Sequence, residues 1–281
     1  MTDAFGTRLR GALDEFGPLC VGVDPHAALL DAWGLDQGPA GLESFGLRVV
    51  EAAAGRVAAI KPQVAFFERF GSAGFAALEG VLAAGREAGL IVIADAKRGD
   101  IGSTMAGYAA AWLEAGSPLE ADAVTLSPYL GPGSLAEAVR FGAERGKGAF
   151  VLAATSNPEA GELQRAATAG GDSVARLVAR ESAQLGGGTA PIGPVGLVVG
   201  ATIDREPAGL ADDVLGGMPI LSPGFGAQGA EPADLRRRFG TVAGNVLASE
   251  SRSLLRAGAD ALPDAIAARA AEYREALRDE R

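Results

Sequence analysis

The stretch Ile91-Val92-Ile93-Ala94-Asp95-Ala96-Lys97-Arg98-Gly99-Asp100 joins an apolar run to a dense group of charges. Its β-branched residues predict a buried strand, and the charges indicate that this strand reaches the surface at its carboxyl end. Asp95 and Lys97 are two residues apart in an extended segment, so their side chains leave the same face of the strand. Asp100 follows a turn at Gly99 and is placed to curl back toward Lys97. We therefore expect two carboxylates around one ammonium group at a strand end.

The same form, an apolar run that ends in polar residues, proline or glycine, recurs along the whole chain. The other runs are 19–25, 57–63, 123–128, 148–158, 195–202, 219–226 and 244–249. Apolar runs without alternation are typical of parallel strands that are buried on both faces. Eight such units in about 250 residues predict a single-domain α/β protein, a (β/α)8 TIM barrel over residues 1–281. A doubly wound open sheet is the main alternative, but no Gly-rich fingerprint follows the first strand.

Helical spacing or a helix-length gap follows each of these runs. The predicted helices cover 4–16, 41–54, 65–88, 102–115, 133–145, 171–186, 205–214, 233–239 and 262–279. A Gly-rich loop is predicted after the first strand, a flexible stretch at 158–170, and further loops at 185–193 and 224–229.

The 281-residue chain has a formal net charge of −10 and a single cysteine. The acidic balance argues against general nucleic-acid binding, although a pocket can still attract a small anionic substrate through its local field. One cysteine excludes an internal disulfide framework and a Cys-rich metal site, and Cys20 is expected to be a buried, unreactive thiol. Because neither a signal-peptide pattern nor a membrane-length apolar run is found, we expect a cytoplasmic enzyme.

In a barrel, the active site forms where the strands meet the loops that follow them. Polar residues or proline at these strand ends are Asp24, Lys61, Asp95, Lys97, Asp100, Ser156 and Pro223. Lys61 ends the strand before Asp95, which predicts an alternating array of Lys61, Asp95, Lys97 and Asp100 whose carboxylates keep the lysines protonated. An isolated Asp-x-Lys-x-x-Asp pattern is more often a solvated salt-bridge cluster, but two lysines at adjacent strand ends favour a site.

Asp95-Ala96-Lys97-Arg98-Gly99-Asp100-Ile101-Gly102-Ser103-Thr104 resembles the signature of the orotidine 5′-phosphate decarboxylase family. Further motifs occur in the family's order: Asp24, Lys61-Pro62-Gln63, Thr155-Ser156-Asn157-Pro158, Ser222-Pro223-Gly224-Phe225-Gly226-Ala227-Gln228-Gly229 and Ser251-Arg252-Ser253. The second and third of these are similar to the longer, bacterial type 2 branch. Asp-x-Lys-x-x-Asp alone is shared with sugar-phosphate decarboxylases and aldolases of the same barrel superfamily, whereas the combination is more specific.

The resemblance implies decarboxylation of orotidine 5′-phosphate to UMP and CO2, the last step of de novo pyrimidine nucleotide synthesis, without a cofactor or metal. It implies that Lys97 donates a proton to C6 of the pyrimidine and that Asp95 faces the substrate carboxylate. Lys61 and Asp100 would hold Lys97 and contact the ribose, which Asp24 would also bind.

For the other end of the substrate, the resemblance implies that Ser156 binds the pyrimidine edge and Arg252 the phosphate. Pro223 and Gln228 would belong to a phosphate-side loop, with Gln228 joining phosphate to base when that loop closes. Ser251 stands where the family usually has glycine, and the arginines at 236–238 are interpreted as a solvated helix face. The closing loop is 158–170, 224–232 or both.

In the resembled family, the segment that holds Asp100, Ile101 and Thr104 crosses a dimer interface into the neighbouring site. The resemblance therefore implies a homodimer with shared active sites, and neither a nucleic-acid nor a membrane partner is expected.

Two alternatives from other functional classes stay open. A sugar-phosphate enzyme of the same superfamily would act through a Mg²⁺-stabilised enediolate, but such enzymes have carboxylate ligands where this chain has Lys61. A catalytically inactive barrel would bind a nucleotide without turnover. The only histidine, His26, follows a strand end but receives no role, and no spacing typical of a metal site is found.

Overall fold

The structure, a computed structural model, describes residues 4–186 and 192–278. Its strands form one closed parallel barrel in which each strand pairs with its neighbours in sequence and β8 pairs with β1. The strands are β1 Leu19–Val23, β2 Ala59–Pro62, β3 Ile91–Arg98, β4 Ala123–Leu126, β5 Gly148–Ala154, β6 Val195–Val199, β7 Ile220–Pro223 and β8 Val246–Glu250. The predicted (β/α)8 fold is confirmed, and closure through β1 and β8 excludes the open doubly wound sheet.

Helices connect the strands and cover the outside of the barrel. They are α1 Phe5–Phe16, α2 Ala27–Ala32, α3 Pro39–Ala53, α4 Val64–Glu68, α5 Gly71–Glu87, α6 Gly102–Leu113, α7 Ala136–Ala143, α8 Ala160–Gln164, α9 Val174–Gly186, α10 Asp212–Leu215, α11 Leu235–Phe239, α12 Arg252–Leu255 and α13 Leu262–Arg278. Short 3-10 turns cover Pro132–Leu135, Pro232–Asp234 and Gly240–Asn245.

Most strand residues are buried, on both faces of the sheet, which accounts for their unbroken apolar sequence. One set of side chains packs between the barrel and its helices, and a second set fills the barrel interior. The amino-terminal helix α1 covers the interior set from below with Phe5, Leu9 and Leu13. The Phe5 ring meets the Phe150 ring edge-on, with centroids 6.2 Å apart. Among the described residues, this end of the barrel is closed by apolar packing, whereas the carboxyl ends of the strands open into a cavity.

The helix predicted over 65–88 is interrupted. The structure has α4 and α5 instead, separated by Arg69 and Phe70. Gly71 has a φ of 59°, a left-handed value at which a helix cannot continue and which glycine adopts without strain. The break allows α4 to stay at the mouth of the barrel while α5 packs along its outside.

The helix predicted over 205–214 is reduced to α10. Arg205 here forms an ion pair with Asp212 at 3.0 Å, and its backbone carbonyl accepts a hydrogen bond from the Leu210 N–H at 3.0 Å. These contacts fold residues 205–211 into turns, and Arg205 Nε also donates to the Arg238 carbonyl at 2.7 Å, a tertiary contact that overrides the local helical pattern.

Two of the predicted loops contain short helices, and a third lies partly outside the described residues. The loop after β1 contains α2, and the stretch at 158–170 contains α8 and leads to a bridge between Ala167 and Ser173. Of the loop predicted at 185–193, residues 187–191 lie outside the described part of the chain. The predicted 133–145 helix begins as a 3-10 turn before α7.

Cys20 is a free, buried thiol in β1, as predicted. Burial raises its pKa to about 12, which keeps it in the unreactive thiol form at neutral pH.

A search of residues 4–186 and 192–278 for a helix long and apolar enough to cross a membrane finds none.

The apolar closure by α1 predicts a large stability effect from a residue far from the cavity. Leu9 is fully buried in α1, whereas Leu47 in α3 is 39% exposed. We expect Leu9→Ala to lower the free energy of unfolding by about 3 kcal/mol and Leu47→Ala by less than about 1 kcal/mol. Urea denaturation monitored by circular dichroism measures both values. Equal losses in the two variants would contradict the proposed closure of the barrel by α1.

Candidate active site

A cavity of about 480 Å³ opens at the carboxyl ends of the strands. Among its lining residues are the predicted Asp24, Lys61, Asp95, Lys97, Ser156, Pro223, Gln228 and Arg252. The lining has three cationic side chains and two carboxylates, so the local charge is opposite to that of the acidic chain. Such a local excess of positive charge favours an anionic small molecule.

The Asp95 carboxylate is the centre of a group of five side chains, which we call the Asp95 cluster. Its Oδ2 accepts hydrogen bonds from Lys61 Nζ and Gln63 Nε2, both at 2.9 Å. Its Oδ1 accepts from Lys97 Nζ at 2.7 Å and from Thr125 Oγ1 at 2.9 Å. Each oxygen has two donors, which is the ordinary capacity of an ionised carboxylate. Asp95 is therefore held as a fixed negative charge with no lone pair left for a further donor.

Charge and burial act against each other in this cluster. Burial alone would raise the pKa of Asp95, but Lys61 and Lys97 outweigh it and hold that pKa well below its usual range. Burial alone would lower the pKa of Lys61, but Asp95, with a smaller contribution from Asp24, raises it above its usual range. Both groups are therefore ionised throughout the neutral range, as the sequence predicted for lysines flanked by carboxylates.

Lys97 has an unusual backbone and a partly exposed side chain. Its φ is 48°, and among residues 4–186 and 192–278 it is the one non-glycine residue with a positive φ. The pairing of β3 with β4 shifts register between Ala94 and Arg98, and the Lys97 N–H donates to Thr125 Oγ1 at 2.9 Å instead. This irregularity directs the ammonium group back to Asp95 while 46% of the side chain stays exposed. Lys97 is thus fixed by one ion pair but accessible from the cavity.

Gln63 and Thr125 are site residues to which the sequence analysis assigned no role. Gln63 was visible as part of the Lys-Pro-Gln motif, and Thr125 as a lone hydroxyl in the apolar run of β4. Thr125 is 1% exposed, and a buried hydroxyl at a strand end needs a polar partner, which is the signal that points to a site.

Two polar atoms of the cavity wall have no hydrogen-bond partner among the described residues although they are buried. They are Asp24 Oδ1 and Ser251 Oγ. Since buried polar atoms are nearly always paired in proteins, these two are placed to bind a ligand's polar groups. Asp24 was predicted for this purpose. Ser251, the departure from the resembled family, adds a buried hydroxyl to the cavity wall beside Arg252.

Ser156 and Gln228 meet across the mouth of the cavity, where the Ser156 hydroxyl donates to Gln228 Oε1 at 2.9 Å. Gln228 belongs to residues 224–230, which we call the 224–230 loop. The Gly226 N–H donates to the Ala230 carbonyl at 2.7 Å, so this loop is a tight turn. The structure therefore joins the two predicted residues directly through side chains on opposite sides of the cavity.

Arg252, which the resemblance assigns to the phosphate, lies in the wall of the cavity. Arg237 and Arg238 form ion pairs with Asp234, and Arg236 donates to the Leu277 carbonyl. The Arg237 side chain is 72% exposed, in agreement with the interpretation of 236–238 as a solvated helix face, and these arginines do not line the cavity.

Asp100, Ile101 and Thr104 do not line this cavity. The expectation that Asp100 curls back to Lys97 within one chain is wrong: its carboxylate accepts a hydrogen bond from the Ile101 N–H at 2.8 Å. Asp100 forms no ion pair with Lys97 among the described residues, so the described chain forms a three-charge array of Lys61, Asp95 and Lys97. Ile101, the next residue, is 62% exposed.

A second cavity of about 590 Å³ lies beside the first and shares Asp24, Asp95, Lys97 and Arg252 with it. His26 lies in its wall and packs edge-on against Phe66, with ring centroids 4.4 Å apart. The site is therefore open on the side of Lys97 that faces α4.

A closed parallel barrel with two lysines sharing an aspartate, and an arginine at the same mouth, defines a (β/α)8-barrel enzyme for small anionic substrates. A profile of the orotidine 5′-phosphate decarboxylase / HUMPS family matches residues 17–262. The chain belongs to this family.

Individual relatives agree over nearly the full chain. Orotidine 5′-phosphate decarboxylase from Salinispora arenicola is 55% identical over 272 residues, which are 97% of this chain and 95% of that protein. The enzyme of the same name from Streptomyces coelicolor is 53% identical over 98% of this chain and 96% of that protein. These relatives support the bacterial branch that the motifs resemble.

Solved structures show the same fold. A crystal structure of an orotidine 5′-phosphate decarboxylase candidate from Streptomyces avermitilis has a TM-score of 0.93 and 52% identity, covering 98% of this chain and 96% of that one. The structure of Leishmania donovani OMP decarboxylase has a TM-score of 0.78 and 30% identity, covering 98% of both chains.

The shifted pKa values of the Asp95 cluster predict a pH window for its contribution to stability. Because the folded pKa of Asp95 is lowered, its contribution is present above about pH 4 and is lost as pH falls further. Because the folded pKa of Lys61 is raised, its contribution is present below about pH 10 and is lost above that.

We expect Asp95→Asn to lower the free energy of unfolding by about 3 kcal/mol at neutral pH, because Lys61 stays buried without its carboxylate. The difference in free energy of unfolding between this variant and the wild type should become smaller below about pH 4, because the Asp95 carboxyl of the unfolded wild type is protonated there. Urea denaturation at a series of pH values measures it. Asp14→Asn is the control, since the Asp14 side chain is 67% exposed and pairs with Arg10 at the surface. A difference that stays constant down to about pH 3 would contradict this assignment.

Proposed function

We propose that this chain decarboxylates orotidine 5′-phosphate to UMP and CO2, the last step of de novo pyrimidine nucleotide synthesis, at the Asp95 cluster. Family membership and relatives of that name at about 55% identity support the reaction. The single observation that carries the site is the Lys97 ammonium, which is fixed 2.7 Å from Asp95 and accessible from the cavity.

In this mechanism the bond between C6 of the pyrimidine and its carboxyl carbon breaks, and the electron pair stays on C6. CO2 leaves, and a proton of the Lys97 ammonium is transferred to C6. Negative charge on this ring carbon has no adjacent carbonyl to delocalise it, so fixed positive charge in a site shielded from water must stabilise it. The Lys97 ammonium supplies that positive charge, and its proton transfer then neutralises the negative charge on C6.

Asp95 acts in this proposal through its charge and through the positions it sets. Its four hydrogen bonds leave it no capacity to accept a proton from the substrate or to bind a substrate hydroxyl. A substrate carboxylate placed beside it is repelled, and that repulsion is relieved when CO2 leaves. Lys61 compensates the buried charge at the other carboxylate oxygen, Oδ2, so Asp95 stays ionised when Lys97 gives up its proton.

The remaining cavity residues bind the parts of the substrate that do not react. Asp24 takes a ribose hydroxyl, Ser156 the pyrimidine edge, and Arg252 the phosphate with its planar fork of donors. Pro223 and Gln228 close the phosphate side, and the Ser156–Gln228 contact joins base and phosphate recognition. Binding energy from these groups orients C6 against Lys97.

We further propose that the active unit is a homodimer with shared sites. Support comes from exposed apolar side chains after β3 and β4: Ile101 is 62% exposed, Tyr129 80% and Leu130 54%. A two-fold dimer that covers this surface would bring Asp100, Ile101 and Thr104 of one protomer to the second cavity of the other. There Asp100 would complete the four-residue array and Thr104 would contact the ribose.

The substrate and product in this proposal are phosphorylated anions, which do not cross membranes unaided, and we therefore place the reaction in the cytoplasm. No cofactor or metal takes part in the proposed chemistry.

Replacement of the proton donor tests the mechanism. We expect Lys97→Ala to lower kcat by about 1,000-fold or more, because general acid catalysis and the fixed charge are lost together. The free energy of unfolding should change by less than about 1 kcal/mol, since 46% of this side chain is exposed. Loss of the orotate absorbance on mixing enzyme and substrate measures turnover.

Arg237→Ala, which removes a 72% exposed cation from a helix away from the cavity, is the control with full activity expected. A chelator should leave wild-type activity unchanged, whereas an enzyme acting through a Mg²⁺-stabilised enediolate would lose it. Wild-type turnover by Lys97→Ala would contradict the mechanism, and UMP binding without any turnover would instead indicate an inactive binding barrel.

Mixing two inactive variants tests the shared site. If Asp100 acts in the partner's site, a heterodimer of Lys97→Ala and Asp100→Ala has one site with both residues intact and one with neither. Random reassembly should then restore about a quarter of wild-type activity, because about half of the dimers are mixed and each mixed dimer has one intact site of its two. Activity after mixing at equal concentrations measures this recovery. No recovery from protomers that do exchange would contradict the shared site.

A further inference from the structure

A buried carboxylate outside the Asp95 cluster lies beneath the 224–230 loop. Glu250, the last residue of β8, is 1% exposed. Its Oε1 accepts a hydrogen bond from the Tyr273 hydroxyl, and its Oε2 accepts one from the Ser253 hydroxyl, both at 2.6 Å. Arg269 Nε lies 3.3 Å from Oε1. We call these four residues the Glu250 network, and none of them lines either cavity of the site.

The network is matched in charge and in donors. Burial opposes the charge of Arg269, but the nearby Glu250 outweighs it and raises the pKa of the guanidinium. Burial and Glu250 together raise the pKa of Tyr273 far above its usual range, so its hydroxyl stays a donor. Tyr273 and Arg269 both belong to α13, which therefore supplies the groups that satisfy a carboxylate at the end of β8.

The 224–230 loop rests directly on this network. Gly226 has a φ of 66°, and a Cβ at this position would lie 2.5 Å from Glu250 Oε2 and 2.4 Å from Ser253 Oγ. The neighbouring Phe225 packs edge-on against the Tyr273 ring, with centroids 5.6 Å apart. The backbone of the loop thus approaches the network as closely as a residue without a side chain allows.

The Glu250 network also includes the residue that follows Arg252, the arginine of the cavity. Ser253 follows Arg252 in α12, and its hydroxyl is bound to the carboxylate that underlies Gly226. One buried carboxylate therefore fixes both the start of α12 and the base of the loop whose Gln228 reaches Ser156.

We propose that Tyr273 and Arg269 are positioning residues which, through Glu250, hold the 224–230 loop and Arg252 in the arrangement that binds the substrate phosphate. This inference rests on the proposed function, since it assumes that this loop and Arg252 form the phosphate side of the site. The carboxyl-terminal helix is then part of the ligand-binding apparatus although it lies outside the cavity.

A purely structural role of the network makes a different prediction. If the network only stabilises the fold, its loss lowers the free energy of unfolding, and any change in affinity is the same for a nucleotide and for its nucleoside. If it positions the phosphate side, its loss weakens binding of a nucleotide but not of the corresponding nucleoside. The comparison of UMP with uridine therefore separates the two roles.

The test is Tyr273→Phe, which removes one hydroxyl and keeps the ring that packs against Phe225. We expect its affinity for UMP to fall about tenfold, as for the loss of one hydrogen bond to a charged group, and its affinity for uridine to stay within about twofold. Calorimetric titration with UMP, and competition with uridine, measure the two affinities. Leu9→Ala is the control: it destabilises the opposite end of the barrel and should leave both affinities unchanged.

Equal weakening of UMP and uridine binding, or no weakening of either, by a folded Tyr273→Phe would overturn the proposal. If that variant does not fold, Arg269→Gln decides by the same comparison, because the Arg269 side chain is 21% exposed and lies at the edge of the network. The proposed function fails separately, in the wild type, if UMP binds no more tightly than uridine or if Arg252→Ala leaves that preference unchanged.

Discussion

The ion pair between Asp95 and the buried Lys61 is the interaction on which the geometry of the site depends. Lys61 is 7% exposed, and without the carboxylate its charge would be unfavourable at that depth. The same carboxylate fixes Lys97 and accepts from Thr125, so β2, β3 and β4 are tied together by one side chain. Electrostatic stabilisation of a reaction requires charges that do not reorganise as it proceeds, and a carboxylate with four donors satisfies this requirement.

The two ends of the barrel have different roles: the amino ends of the strands are packed for stability, and the carboxyl ends form the site. At the amino end of the strands, α1 seals the interior with apolar side chains. Lys147 there pairs with Glu120 at 2.7 Å, and Asp122 accepts from Arg8 at 2.8 Å, so the buried charges at that end are satisfied within the fold. At the carboxyl end, Asp24 and Ser251 line the cavity and have buried polar atoms without a partner among the described residues. This arrangement agrees with the general rule that barrels place function at the carboxyl ends of their strands.

The sequence predicts the barrel well because each strand is a continuous apolar run that ends in a polar residue or proline. It also predicts the Asp95–Lys97 pair, since spacing in a strand decides which side chains share a face. It predicts the helices less well: the break before Gly71 depends on a backbone angle, and the turns after Arg205 depend on the ion pair between Arg205 and Asp212. It gives Gln63 and Thr125 no role, because their importance arises only when β2 and β4 bring them to Asp95. Nor does it place Asp100 correctly within one chain, since the Asp100 carboxylate accepts from the neighbouring Ile101 N–H and does not pair with Lys97.

The left-handed backbone of Lys97 has a consequence for how this position can change. A lysine with a φ of 48° holds about 1–2 kcal/mol of conformational strain, which glycine or asparagine would largely avoid. Selection for folding alone would therefore replace Lys97, and only the need for an ammonium group at this point of the cavity opposes that replacement. The position is thus locally frustrated, and the most stable sequence for this barrel is not the sequence that the chemistry requires.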